Sequence, residues 1–136
     1  MSMRICLFMR DLSLFFAALA DESRLRLLYL MKDGEICVCY LQGVLQTNQP
    51  KISRHLAYLR KAGLVAARRD GKWTHYRLKK LDARLEKILA QTLDYLPSQP
   101  QIKSDLQRLK LISCQPSGFR VSAPPRFNMD KQGSRD

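Results

Sequence analysis

Two groups of residues have the types and spacing to do chemistry, and both lie in one stretch, Glu35 to Leu64. The first is a cysteine pair, Cys37 and Cys39. The second is a polar series, Gln49, Lys51, Ser53, Arg54, His55 and Tyr58. Thiolates are soft ligands, so the pair is a candidate receptor for a thiophilic ion. Free cysteines are also often small buried apolar residues, and on the residues alone both readings stand. The pair is not the C-x-x-C of a disulfide oxidoreductase, and no second pair completes a zinc knuckle. The polar series suits nucleic acid: Arg and Lys donate to guanine, Gln pairs with adenine, and Ser reaches either.

These side chains need elements to position them. Thr47 and Asn48 are capping types, and Pro50 falls in a first helical turn, where a missing N–H costs nothing. Ile52, Leu56, Leu59 and Gly63 then recur on one apolar side, with the polar series on another. Ile36 to Leu45 is the natural preceding helix and Gln46–Thr47–Asn48 the turn, which together make a helix-turn-helix. Residues two apart on a helix point about 200° from each other. Cys37 and Cys39 both fall in that first helix, so a thiophilic ion held by both must distort it locally, and ligand chemistry is coupled to the reading helix. Nearby Arg24 or Lys32 could lower the thiol pKa.

Leu64 to Leu78, LVAARRDGKWTHYRL, changes from helical to alternating periodicity. Asp70–Gly71 reads as a two-residue hairpin turn. It sets Arg69 opposite Lys72, Arg68 opposite Trp73 and Ala67 opposite Thr74. Val65, Ala67, Tyr76 and Leu78 face inward. Arg68, Trp73, His75 and Arg77 face outward, with Arg68 placed to stack on Trp73. A basic-tipped hairpin after a reading helix is a wing, with Arg68, Arg69 and Lys72 suited to phosphate or minor-groove contacts.

The flanks are helical. Asp11 to Ala20 carries Leu12, Phe15, Phe16 and Leu19 on one stripe, and Asp21 can cap a largely apolar helix from Arg24 to Met31. Asp33–Gly34 breaks the chain. Leu81 to Leu96 has a long seam through Leu85, Ile88, Leu89 and Thr92. The two flanking helices carry more apolar face than so small a core should cover, and pairing with a second copy is the economical solution. From Pro97 the composition shifts to Pro, Ser, Gln and Gly, with Ile102, Leu106, Leu109 and Ile112 spaced for a short helix. Gln115 to Asp136 reads as a basic, disordered tail. The expected organisation is a winged, mainly α domain over residues 1–96 and a C-terminal extension over 97–136.

Composition agrees. A net charge of +12 on 136 residues favours a polyanionic partner. No apolar run approaches the ~20 residues of a membrane span. Four cysteines, Cys6, Cys37, Cys39 and Cys114, are too few and irregular for a secreted disulfide framework. A reducing cytoplasm fits better. There is no Gly-rich phosphate loop and no acid–base pair at catalytic spacing, so an enzyme is not expected.

The runs LADESRLRLLYLMKDGEICVCYL and QPKISRHLAYLRKAGLVAARRDGKWTHYRL, within a match over roughly residues 12–80, resemble the ArsR/SmtB family of metal-responsive repressors in its arsenical-sensing branch. The resemblance implies a winged-helix homodimer that binds double-stranded operator DNA and represses its own resistance operon. It implies As(III) or Sb(III) as inducer, held by cysteine thiolates, with no organic cofactor. Against the family run E-L-C-V-C-D-L-C, Cys37 and Cys39 occupy the first two ligand positions. Gln42 stands at the third, and Tyr40 replaces the usual acid. The family's arsenic takes three sulfurs, so Cys6 or Cys114, a cysteine of the other subunit, or a solvent thiol would complete the set. Other branches bind metal on a last helix opening D-x-H. Here Leu81-Asp82-Ala83-Arg84 opens it, without histidine. The alternative is a redox-switched repressor of the same fold, with Cys6 or Cys114 as disulfide partner because a Cys37–Cys39 bridge within a helix would be strained.

Overall fold

A computed structural model describes residues 9–114, with the side chains of 113 and 114 undescribed. The order is α1 (Met9–Leu19), α2 (Glu22–Leu30), β1 (Ile36–Cys37), α3 (Val38–Leu45), α4 (Gln49–Lys61), β2 (Val65–Asp70), β3 (Trp73–Leu78) and α5 (Ala83–Tyr95). A single 3-10 turn, Leu96–Ser98, leads into α6 (Pro100–Cys114). The chain is mainly helical, with a three-stranded antiparallel sheet of order β1-β3-β2.

Local chemistry starts and stops the helices. Asp21 caps α2, its carboxylate accepting from the N–H groups of Ser23 and Arg24 at 2.8 and 3.2 Å. Asn48 caps α4 in the same way, accepting from Lys51 N–H at 3.0 Å, and Pro50 sits in the first turn. Gly63 ends α4 at φ 81. Its N–H bonds to Arg60 carbonyl and that of Leu64 to Leu59 carbonyl, a closure that needs a left-handed residue between them. Gly63 is thus a terminator and not part of the apolar stripe.

One core joins these elements. Phe15, Leu27, Leu28, Met31, Ile36, Leu41, Ile52, Leu56, Leu59 and Leu64 are almost fully buried, and Leu89, Leu93, Ile102 and Leu109 extend the cluster. The last two belong to α6. That helix is longer than its apolar spacing suggested and is tied down by polar contacts. Arg26 grips Asp105 with two bonds of 2.8 and 2.9 Å, and Arg108 donates to the Val44 carbonyl at 2.9 Å.

Three expectations need correction. Residues 36–37 form a strand, not the start of the first helix: Ile36 pairs with Tyr76 and Cys37 with His75. Helix α5 begins at Ala83, capped by Asp82, and Leu96 lies beyond it in the 3-10 turn. The hairpin turns one residue later than the Asp70–Gly71 signal indicated. Asp70 faces Trp73, Arg69 faces Thr74, Arg68 faces His75 and Val65 faces Leu78. The reason is steric. Gly71 takes φ 66, and neither Asp70 nor Lys72 has a positive φ. Centring the turn on Gly71–Lys72 puts glycine at the one position requiring the left-handed region, whereas Asp70–Gly71 would demand it of aspartate too.

Candidate functional site

The polar series lies on α4 as the sequence indicated. Gln49, Lys51, Ser53 and Arg54 are exposed, and Gln49 Nε2 donates to Ser53 Oγ at 3.4 Å. These residues fill the N-terminal half of a helix entered through the three-residue turn 46–48, in which Gln46 takes the left-handed conformation. Ile52, Leu56 and Leu59 anchor the opposite side. Arg60 and Lys61, exposed in the last turn, extend the basic surface beyond the polar series.

His55 and Tyr58 are half-buried and take part in a clamp. The Arg24 guanidinium lies 4.1 Å from the Tyr58 ring centroid, with Nη1 3.5 Å from His55 Nδ1. The same guanidinium donates to the carbonyls of Ala18 and Ala17 at 2.9 and 3.0 Å. Arg24 therefore fastens the reading helix to the end of α1. Neither Arg24 nor Lys32, which pairs with Asp33, is what lowers the Cys37 thiol.

The wing separates its arginines. Arg69 and Lys72 are exposed at the tip, and Lys72 Nζ sits 5.6 Å from the Trp73 ring centroid. Arg68 reaches from the wing to the acid Glu35. Its Nη2 donates to Glu35 Oε1 at 2.8 Å, and its Nε lies 3.1 Å from both carboxylate oxygens. Glu35 is 1% exposed. A carboxylate that deep needs a cation, and Arg68 is within reach across the sheet. His75 is also 1% exposed, so it does not face outward. Burial chiefly, then the Arg68 charge, pushes its pKa down and keeps the ring neutral. An acid placed between Gly34 and an apolar strand was the sequence signal for this cluster.

Cys37 and Cys39 come together at the entrance to α3. Cys37 ends β1 with φ −74 and ψ 143, outside the helix, and Cys39 lies in the first helical turn. The opposed orientation expected of two helical positions therefore does not arise, and the Sγ atoms are 3.0 Å apart. Cys37 is buried and Cys39 half-buried. The hydrogen bond from Cys39 brings the Cys37 thiol down to about 7, helped by the backbone N–H groups of Cys39 and Val38 and opposed by burial. Cys39 moves strongly upward, because it holds the shared proton, is desolvated and faces the Cys37 charge. One thiolate therefore forms near neutral pH, a soft donor beside a second sulfur. Among the described residues no third His, Cys, Asp or Glu joins them as a metal-binding group. Gln42 follows one turn later on α3. Cys6 lies outside the described residues, as does the side chain of Cys114.

A capped reading helix entered through a short turn and followed by a basic-tipped hairpin defines a winged helix-turn-helix protein. Residues 21–67 match the family described as bacterial regulatory protein, arsR family. The arsenical resistance operon repressor of Escherichia coli (strain K12) is 56% identical over 64 residues, covering 46% of this chain and 55% of that protein. The arsenical resistance operon repressor of Bacillus subtilis (strain 168) is 37% identical over 79 residues, covering 57% and 73%. Among solved structures, HlyU from Vibrio cholerae N16961 superposes with a TM-score of 0.57 at 30% identity, over 66% of this chain and 95% of that one. This chain belongs to the arsR family of bacterial regulatory proteins, which are regulators and not enzymes. It spans about half the length of the E. coli relative. Among the described residues no helix is long and apolar enough to cross a membrane.

Proposed function

We propose that this chain is a DNA-binding repressor of an arsenical-resistance operon, released from its operator when trivalent arsenic or antimony binds Cys37 and Cys39. The observation that carries the reading is the sulfur pair, 3.0 Å apart at the N-terminus of the helix that leads directly into the reading helix. The arsenical-resistance repressors among its relatives support the choice of ligand. Gln49, Lys51, Ser53 and Arg54 read the major groove, with His55 and Tyr58 at the edge of that surface. Arg69 and Lys72 contact backbone or minor groove, and Arg68 positions the wing from behind. The third sulfur comes from Cys6 or Cys114, of the same or the other subunit, or from a solvent thiol.

A homodimer in the cytoplasm completes the reading. Met9, Leu12 and Phe16 of α1 are 79%, 39% and 47% exposed, and Tyr95 of α5 is 69% exposed. Burying these against a second copy would place two reading helices on half-sites about one helical turn, ~34 Å, apart or a multiple of it. The test is binding of the reduced protein to its own upstream DNA at fixed salt, with and without arsenite. Specific binding lost on adding arsenite is the expected result. Specific binding indifferent to arsenite would end this reading. One observation favours a second, redox reading: Cys37 lies outside the helix, so the strain expected of a Cys37–Cys39 disulfide is reduced. Peroxide would take two electrons and two protons from the pair and leave as water, and thiol counting separates the cases.

A further inference from the structure

We propose that the Glu35–Arg68 ion pair is a positioning link that carries ligand occupancy at Cys37 and Cys39 to the wing. The inference rests on the reading that the thiol pair holds the inducer. Cys37 faces His75 across β1 and β3, and His75 faces Arg68 across β3 and β2. Paired residues of an antiparallel sheet project to the same face, so the three form one row from sensor to wing. Glu35, two residues before Cys37, spans that row and takes Arg68 through contacts of 2.8, 3.1 and 3.1 Å.

Strand β1 is only two residues long, with two registered pairs to β3 and no pairing to β2. The ion pair therefore ties the cysteine-bearing segment to the far strand. Its acid is 1% exposed. Water cannot take the place of Arg68 there, so the carboxylate must keep its cation when β1 shifts. Arg68 is followed directly by Arg69 at the wing tip. Replacing the sulfur–sulfur hydrogen bond by a shared ion moves Cys37. Glu35 follows along the backbone, Arg68 follows Glu35, and the tip moves with them. Trp73 is the sole tryptophan and alternates onto the same face as His75, next along β3, so it reports on this movement.

The experiment uses the full-length reduced protein, Glu35→Gln and Arg68→Lys. Arsenite uptake is read from sulfur–arsenic absorbance, the wing from Trp73 fluorescence, and coupling from the fold-change in operator affinity on adding arsenite. The parent is expected to show all three signals, with a coupling of about 5–150-fold. Glu35→Gln is expected to take up arsenite as the parent does, lose the Trp73 response and couple less than about threefold. Arg68→Lys, which keeps the charge but not the forked geometry, is expected to fall between them. Should Glu35→Gln fail to fold, as judged by its melt, Arg68→Lys carries the same comparison. Normal arsenite uptake with parental Trp73 response and parental coupling in the variants would overturn the link and leave the inducer reading standing. Absence of arsenite uptake in the parent would overturn the inducer reading and the link with it.

Discussion

Arg24 and Tyr58 join the first helix to the reading helix: the guanidinium lies 4.1 Å from the ring centroid while donating to the last carbonyls of α1. Its side chain is 13% exposed, so these contacts are only weakly screened. Two hydrogen bonds from a charged group and a cation–π contact, combined without full additivity, put Arg24→Ala at about 2–3 kcal/mol of lost stability. Urea denaturation with an unchanged slope would show it. Arg24→Lys should recover less than half, since an ammonium cannot span two carbonyls and a ring face together. A loss under about 0.5 kcal/mol for the alanine variant would mean that the clamp contributes nothing.

The thiol pair predicts a pH dependence of both ionisation and stability. In a Cys6→Ser, Cys114→Ser background, ultraviolet absorbance should show one thiolate appearing with a midpoint near 7, and the second absent through the alkaline range where free thiols ionise. The folded Cys37 pKa lies below its ordinary value of 9.0. The folded chain therefore loses a proton that the unfolded chain still holds, and stability rises from about pH 7 to 9. Cys39 has the opposite sign: above 9.0 the unfolded chain ionises it and the folded chain does not, so stability falls again. Two thiolates appearing together near 8.5 would show that the sulfurs do not share a proton.

The inducer reading predicts a clean separation of functions. Cys37→Ser combined with Cys39→Ser should bind operator within about twofold of the parent, because neither sulfur lies on the exposed side of α4 or the wing tip. Release by arsenite should be abolished, read as operator affinity with and without the metalloid at one salt concentration. A double variant still released by arsenite would remove both cysteines from the sensor.

Much of this was readable in the sequence where one short-range rule governs one element. Asn48, Pro50 and the Ile52–Leu56–Leu59 stripe specify α4, because capping and periodicity are local. The hairpin was readable but its register was not, since Asp70–Gly71 and Gly71–Lys72 compete for one turn and only the demand for positive φ decides. The thiol geometry is set by a tertiary contact and not by local sequence: pairing with β3 draws Ile36 and Cys37 into an extended strand despite helical neighbours. Arg24, Glu35 and Asp105 find their partners far along the chain, and no periodicity announces such contacts.

The wing and the reading helix should differ in how they fail. Arg69 and Lys72 are exposed at the tip, and the proposed DNA-binding role gives them phosphates as partners. Replacing either with alanine should weaken specific and non-specific duplexes alike and lower the slope of log affinity against log salt by about 1. Arg54 sits on the exposed face of α4, and Arg54→Ala should cost about 1–3 kcal/mol on the operator and much less on unrelated DNA. Equal losses on both DNAs would make Arg54 a phosphate contact and shift base reading to Gln49 and Ser53.

The sixth helix should prove part of the fold. Asp105 is 1% exposed and accepts from Arg26 Nε and Nη2, with Gln101 donating to it at 3.1 Å and Arg108 3.8 Å away. Asp105→Asn keeps the shape and removes the charge, leaving Arg26 facing an amide. Breaking a buried pair costs about 3–5 kcal/mol, and because the Arg26 side chain is 19% exposed and can reach water, about 2–3 kcal/mol is the expected loss. Chemical denaturation would measure it. Operator affinity below the transition should stay within about twofold of the parent, since α6 packs behind α3, away from the exposed face of α4. A variant as stable as the parent would mean that α6 is held by Ile102 and Leu109 alone, and a large loss of operator affinity without loss of stability would place α6 in the path to DNA.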